Sequence, residues 1–253
     1  MSTGRDHWFE DVADHLGAAY LRYSFTRGTA QEVAFLVETL GLGPGSRVLD
    51  VGCGPGRHAN ALGEQGIEVV GVDISERFLE VARATAPVGV TYQRHDAREL
   101  PFVAEFDAAI SLCQGAFGLS GGPASSWTPS DGEEVLDPDL PVLWSIARAL
   151  RPGAQAAFTA FSAYFQVRYL EAHDTFDADA GVNREVTSIR SESGADAETE
   201  LWTACYTPRE LRLLTAASGL SYQHCWAVTP GDYARRAPDL DHPEFLVIAR
   251  KAG

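Results

Sequence analysis

Apolar positions along the chain change period in a regular way. Residues 8–22 place Trp8, Phe9, Val12, Leu16, Ala19 and Tyr20 at mixed three- and four-residue spacing, which predicts an amphipathic helix. Residues 29–41 repeat the pattern with Val33, Leu36, Val37 and Leu40 and stop at Gly41. After the Gly43-Pro44-Gly45 turn the pattern shifts to short apolar runs. Residues 47–51, 67–73, 90–93, 106–112 and 154–161 read as buried strands, with helices predicted over 57–65, 75–83 and 134–150. Strand and helix alternate at short intervals, the pattern of a parallel sheet covered on both faces. The alternation breaks at Ser162. Residues 182–189 and 198–206 read as two strands joined through Ser193-Gly194-Ala195-Asp196. A helix over 208–218 and strands over 220–228 and 244–249 follow. An interruption this long after a core strand predicts a cap over the site.

Charge and cysteine usage narrow the function classes. The 253 residues carry a formal net charge of −15. The nearest thing to a basic cluster is Arg235-Arg236, so a nucleic-acid partner is not expected. Cys53, Cys113, Cys205 and Cys225 form no C-x-x-C pair, so reduced thiols are expected and no metal site. The first residues are polar, and no apolar run reaches the roughly 18 residues of a membrane span. The expectation is a soluble, cytoplasmic protein with no membrane association.

The sharpest signal is Val48-Leu49-Asp50-Val51-Gly52-Cys53-Gly54-Pro55-Gly56, an apolar strand that runs into a glycine turn and opens a helix. Glycine lets backbone approach a ligand, and the helix start offers unpaired N–H groups to a carboxylate or a phosphate. A dinucleotide site would place its third glycine at position 57, which is Arg57. The G-x-G-x-G spacing resembles motif I of the class I S-adenosylmethionine-dependent methyltransferases. Asp73 ends the second strand, where an acid either accepts both ribose hydroxyls or caps the next helix. His95-Asp96-Ala97-Arg98-Glu99-Leu100-Pro101-Phe102 is similar to the family's adenine-binding segment, with Asp96 and Ala97 in its contact places. Ala149-Leu150-Arg151-Pro152-Gly153 resembles its L-(K/R)-P-G turn. Tyr206-Thr207-Pro208-Arg209-Glu210-Leu211 and Phe245-Leu246-Val247-Ile248-Ala249-Arg250 resemble its last helix start and last strand.

The resemblance implies an α/β three-layer sandwich on a seven-stranded, mostly parallel sheet of order 3-2-1-4-5-7-6, the last strand antiparallel. To this the chain adds an N-terminal helical lid and a small antiparallel insertion after strand 5. The organisation expected is one methyltransferase domain: lid 1–42, cofactor core 43–161, cap 162–205 and a closing segment 206–253. The cofactor implied is S-adenosylmethionine, leaving as S-adenosylhomocysteine. Its implied contacts are Asp50, Gly52, Cys53, Gly54, Gly56 and Asp73, continued by Ile74, Asp96, Ala97, Leu112, Gln114 and Tyr23.

The segment Cys113-Gln114-Gly115-Ala116-Phe117-Gly118 lacks the N/D-P-P-(Y/F/W) motif of amino-modifying DNA and protein-glutamine methyltransferases. It is closer to the G-x-F-G type of small-molecule methyltransferases. No acid pattern like that of the metal-dependent catechol enzymes is present. A small-molecule acceptor methylated at O, N or C is therefore expected. A protein or peptide acceptor and a non-catalytic cofactor-binding subunit are the alternatives. Phe117, Tyr164, Tyr169 and His173 are the candidate acceptor contacts. Tyr20, Tyr23 and Phe25 either close over the methionine end or pack as helix-face core. His58 either reaches the cofactor carboxylate or faces solvent. Methyl transfer from a sulfonium needs alignment more than a base, and the sequence marks no side chain as catalytic.

Overall fold

The structure is a computed structural model and describes residues 7–123 and 136–253. The strands are β1 (Arg47–Val51), β2 (Glu68–Asp73), β3 (Val90–Arg94), β4 (Phe106–Ser111), β5 (Leu150–Ser162), β6 (Asp174–Asp177), β7 (Val182–Arg190), β8 (Asp196–Tyr206), β9 (Leu220–Val228) and β10 (Glu244–Lys251). The helices are α1 (Phe9–Leu16), α2 (Thr29–Leu40), α3 (Arg57–Gly63), α4 (Glu76–Ala84), α5 (Leu140–Ala149), α6 (Ala163–Arg168) and α7 (Pro208–Ala217).

The central strands run β3-β2-β1-β4-β5, with β10 between β5 and β9 and antiparallel to both. With β6–β8 set aside this is the order 3-2-1-4-5-7-6. Covered on both faces, β1, β2 and β4 are buried at nearly every position and read as apolar runs instead of alternating. Successive side chains still point to opposite faces. Val48 and Ile110 meet α2, α3 and α4 through Leu36, Leu62 and Leu79. Leu49 and Ala109 meet α5 and α7 through Ile146 and Leu211.

The sheet has ten strands where the resemblance implies seven, because the insertion joins it. β4 leaves β5 at the Ser111↔Phe158 pair, and β10 holds the other edge as far as Phe161. β8 takes the vacated edge in parallel through Phe161↔Cys205 and Ser162↔Tyr206. β7 and β6 then extend it antiparallel. The short α6 and β6 carry no periodic pattern, and the sequence does not announce them. Ser162 starts α6 by accepting a hydrogen bond from the Phe165 N–H at 3.2 Å.

Three boundaries differ from expectation. The helix expected over 8–22 is α1 alone, followed by 3-10 turns at Gly17–Arg22 and Ser24–Gly28. Gly17 breaks it with φ +48°, and Glu192 of the β7–β8 turn accepts the Ala18 N–H at 2.6 Å. The helix expected over 134–150 begins at Leu140 beside Pro141, and residues 134–135 lie outside the described residues. The expected Leu150–Gly153 turn is a bulge inside β5, where the register jumps from Phe106↔Leu150 to Ala108↔Gln155. By contrast α7 starts where Thr207 and Glu210 form a reciprocal cap, at Pro208 as expected.

Candidate functional site

The site is assembled at the carboxyl ends of β1, β2 and β4. After Val51 the chain turns at Gly52, whose φ is +72°. A Cβ there would lie 2.1 Å from the Gly115 carbonyl carbon, so the turns after β1 and β4 can touch only through glycine. Gly54 differs. Its φ is +53°, and an added Cβ would meet only the Phe78 ring, at 3.9 Å. Its small size serves no protein packing; the backbone there borders open space.

Asp73 ties β2 to this turn. One carboxylate oxygen accepts the Gly54 N–H at 2.8 Å and the other accepts the Ser75 N–H at 2.8 Å. Burial pushes its pKa up to about 6, against the pull of the Ser75, Gly54 and Ile74 N–H groups. Each oxygen keeps a second lone pair. Asp50, one strand away, is also buried, and one of its oxygens makes no hydrogen bond. Burial raises it to about 7.

A small hollow opens beside Asp73. Val72, Ile74, Asp96 and Ala97 form one side of it, and His7, Phe9 and Leu119 the other. The Asp96 carboxylate accepts the Arg98 N–H at 2.9 Å and the Arg98 guanidinium at 2.5–3.1 Å. Burial alone would raise the Asp96 pKa, but the Arg98 hydrogen bonds and charge outweigh it and hold it below the usual range. Burial, helped by Arg98, lowers His7 to about 4, so its ring is neutral at physiological pH.

A larger cavity, about 280 Å³, adjoins the hollow. Gly52, Gly54, Asp73, Cys113 and Gln114 form its sheet side. Trp8, Val12, Tyr20, Tyr23 and Phe25 come from the N-terminal segment. Glu185, Thr187 and Ile189 of β7, with Leu201 and Thr203 of β8, form the cap side. Cys113 and Gln114 follow β4 with φ of +51° and +49°. Two successive non-glycine residues in this region cost roughly 1–3 kcal/mol each, a strain found most often at ligand sites. The Cys113 N–H donates to Thr159 Oγ1 at 2.8 Å and fixes the turn. Gln114 is 6% exposed, yet its amide nitrogen makes no hydrogen bond. It lies beside buried Glu244, whose carboxyl is pushed up to about 8 by burial, against the pull of Gln114.

Behind Cys113 lies a buried ionic knot. Glu32 accepts hydrogen bonds from Arg57 at 2.6 Å, His58 at 2.7 Å and the Gly231 N–H at 2.8 Å. Burial opposes ionisation of Glu32, but His58 and Arg57 outweigh it and hold its pKa low. The other Arg57 nitrogen donates to Cys113 Sγ at 2.8 Å, and burial keeps that thiol protonated. Burial takes His58 down to about 4. His58 therefore neither reaches for a ligand nor faces solvent, but locks α3 to α2 through Glu32.

Of the expected cofactor contacts, Gly52, Gly54, Asp73, Gln114 and Tyr23 border the large cavity, and Ile74, Asp96 and Ala97 border the hollow. Asp50, Cys53, Gly56 and Leu112 lie off both walls: Asp50, Cys53 and Leu112 are buried, and Gly56 lies against Tyr92. Tyr20, Tyr23 and Phe25 cluster with one another at 5.3–6.5 Å between ring centres. The expected acceptor contacts lie elsewhere. Phe117 is fully buried between Phe158 and Tyr206, because the turn after Gly115 points it into the core. Tyr164 and Tyr169 are exposed, and Tyr169 donates to Asp241. His173 pairs with Glu171 on the exposed side of the cap. The residues missed are Trp8, Phe9 and Leu119, with Glu185, Thr187 and Thr203. The alternation Glu185-Thr187-Ile189 was the available signal, but nothing in it names the face it covers. Among the described residues no group of three or more His, Cys, Asp or Glu could hold a metal ion.

Residues 48–119 match the family model described as Methyltransferase domain. A ubiquinone biosynthesis O-methyltransferase of Hahella chejuensis is 33% identical over 119 residues, 46% of this chain and 43% of its own length. The chain thus spans less than half of the curated relatives it matches. Among solved structures, the CcbJ methyltransferase of Streptomyces caelestis superposes with a TM-score of 0.72 at 21% identity, over 98% of this chain and 97% of that one. An amino pentose methyltransferase of Micromonospora echinaspora, solved with S-adenosylmethionine bound, gives 0.59 at 19% identity, over 93% and 95%.

Proposed function

We propose that this chain, which has the class I Rossmann-like methyltransferase fold and carries the methyltransferase domain in residues 48–119, transfers a methyl group from S-adenosylmethionine to a small molecule. Asp73 carries the reading. It is a buried acid at the end of β2, its two oxygens aimed by backbone N–H groups, with the open space of Gly54 beside it. The residues fit the cofactor: the spare lone pairs of Asp73 suit a ribose diol, and the hollow at Ala97 suits a flat ring.

When bound, S-adenosylmethionine supplies an electrophilic methyl group and leaves as a neutral thioether. The chain's own part is alignment and exclusion of water. Asp73 orients the sugar, and Tyr20, Tyr23 and Phe25 cover the far end. The acceptor enters from the cap side between Trp8 and β7. A concave cavity of about 280 Å³ walled on the sheet, N-terminal and cap sides suits a small acceptor better than a peptide lying across a flat face. The curated O-methyltransferase relatives and the amino pentose enzyme support a small acceptor and leave its atom open among oxygen, nitrogen and carbon.

Calorimetric titration with S-adenosylmethionine, S-adenosylhomocysteine and NADH tests this. Binding of the first two, no NADH isotherm, and a loss of about 2–4 kcal/mol in Asp73→Ala are expected, since hydrogen bonds to a charged acceptor contribute about 1.5–3 kcal/mol each. Binding of NADH alone, or unchanged affinity in a folded Asp73→Ala protein, overturns it.

A further inference from the structure

The charged groups on the large cavity point to a substrate class. No Lys, Arg or His side chain borders it among the described residues, and its acids are Asp73 and Glu185. Asp73 is engaged on both oxygens by backbone N–H groups. Glu185 is not engaged: among the described residues its half-buried side chain makes no hydrogen bond or ion pair. Its neighbours on the cap sheet behave otherwise. Arg184 pairs with Glu200, and Arg190 with Asp196 at 2.7 Å. An acid left without a cation on a strand flanked by satisfied pairs, and turned toward a cavity, is arranged for a charge that arrives from outside.

One further feature belongs to a ligand site: aromatic rings border the cavity, among them Trp8, Tyr20, Tyr23 and Phe161, and ring faces attract cations.

We propose that the acceptor is an amine, held as its ammonium form by Glu185 among these rings; this rests on the methyltransferase reading above. The ammonium passes one proton to the Glu185 carboxylate. The freed nitrogen lone pair bonds to the methyl carbon of S-adenosylmethionine while the carbon–sulfur bond breaks and its electron pair stays on sulfur. The product is an N-methylammonium ion, and Glu185 returns its proton to solvent. An acceptor bearing a carboxylate or phosphate would meet Glu185 with like charge and no compensating base.

The probes are three molecules of one shape and different charge: 2-phenylethylamine, 2-phenylethanol and 3-phenylpropionate. Each is titrated into the full chain saturated with S-adenosylhomocysteine. The amine is expected to bind about tenfold more tightly than the alcohol, with the carboxylate weakest. Glu185→Gln should erase the difference between amine and alcohol and leave S-adenosylhomocysteine affinity unchanged, while Glu185→Asp should keep part of the preference. Equal affinity for the three probes, or a preference that survives Glu185→Gln, overturns the proposal. So does weakened S-adenosylhomocysteine binding in Glu185→Gln, because Glu185 would then serve the cofactor's own ammonium. Failure of S-adenosylhomocysteine to bind the unaltered protein is a different result and removes the methyltransferase reading itself.

Discussion

On the sheet side of the cavity, Gly52, Gly54 and Asp73 are held by main-chain hydrogen bonds within one β-α-β stretch. On the cap side, Glu185 and Leu201 are cross-strand partners in the β7–β8 ladder, and Trp8 comes from the N-terminal segment and is held against them by side-chain packing. Backbone geometry restricts the first set to a few residue types. Strand positions and packing admit many residues in the second, so the two sides can answer to different selective demands.

Three perturbations sharpen that contrast. The largest effect is expected from Glu32→Ala, which takes the partner from buried Arg57 and His58 and from the Gly231 N–H. Breaking a buried pair from one side costs about 3–5 kcal/mol, to be read from the midpoint of urea unfolding. A change under about 1 kcal/mol would show that this knot does not hold α3 to α2 beneath the sheet side.

Next is Trp8→Ala on the cap side. Trp8 donates to the Leu119 carbonyl at 3.0 Å and packs edge-on to Trp202 at 5.3 Å. About 2 kcal/mol of stability should be lost, less than for a fully buried tryptophan. S-adenosylhomocysteine affinity should fall by less than about tenfold. A loss as large as that of Asp73→Ala would erase the distinction between the two sides.

The smallest is a pH effect. With a pKa of about 6, Asp73 is ionised and accepts from hydroxyls above that pH. Its raised pKa favours the folded, unliganded chain as pH falls, whereas cofactor binding needs the ionised form and weakens. Below pH 6 affinity should drop about tenfold per pH unit. Asp50, raised to about 7, titrates above this window. Asp73→Asn should therefore flatten the slope between pH 6 and pH 5, and an unchanged slope would assign it to another group.

The same contrast explains what was legible in the sequence. Gly52, Gly54 and Asp73 could be named because a left-handed turn and a strand-end acid demand those residue types at that spacing. The alternation of apolar runs with helices marked a parallel sheet covered on both faces, while its strand order was implied by the family resemblance. The cap strands β7 and β8 were legible as strands, since alternation marks them. Their attachment to β5 was not, because it depends on an edge that β4 vacates at Ser111. Phe117, Tyr164, Tyr169 and His173 were chosen for chemistry, but whether an aromatic or a histidine faces a cavity is settled by packing between distant segments. Glu185 reads from sequence as an ordinary surface acid; its distinction is the missing partner.

The two residue pairs that join β8 to β5 have one more consequence. The insertion leaves the main sheet at Ser162 and returns beside it at Cys205, so its two ends are fixed one strand-spacing apart whatever lies between them. Doubling the length of such a closed excursion adds only about 0.6 kcal/mol of closure entropy. The chain between these anchors can lengthen, shorten or be replaced while the cofactor frame stays as it is. On the reading proposed above, acceptor choice is written on an exchangeable piece of polypeptide, and new specificities can arise by insertion at one seam.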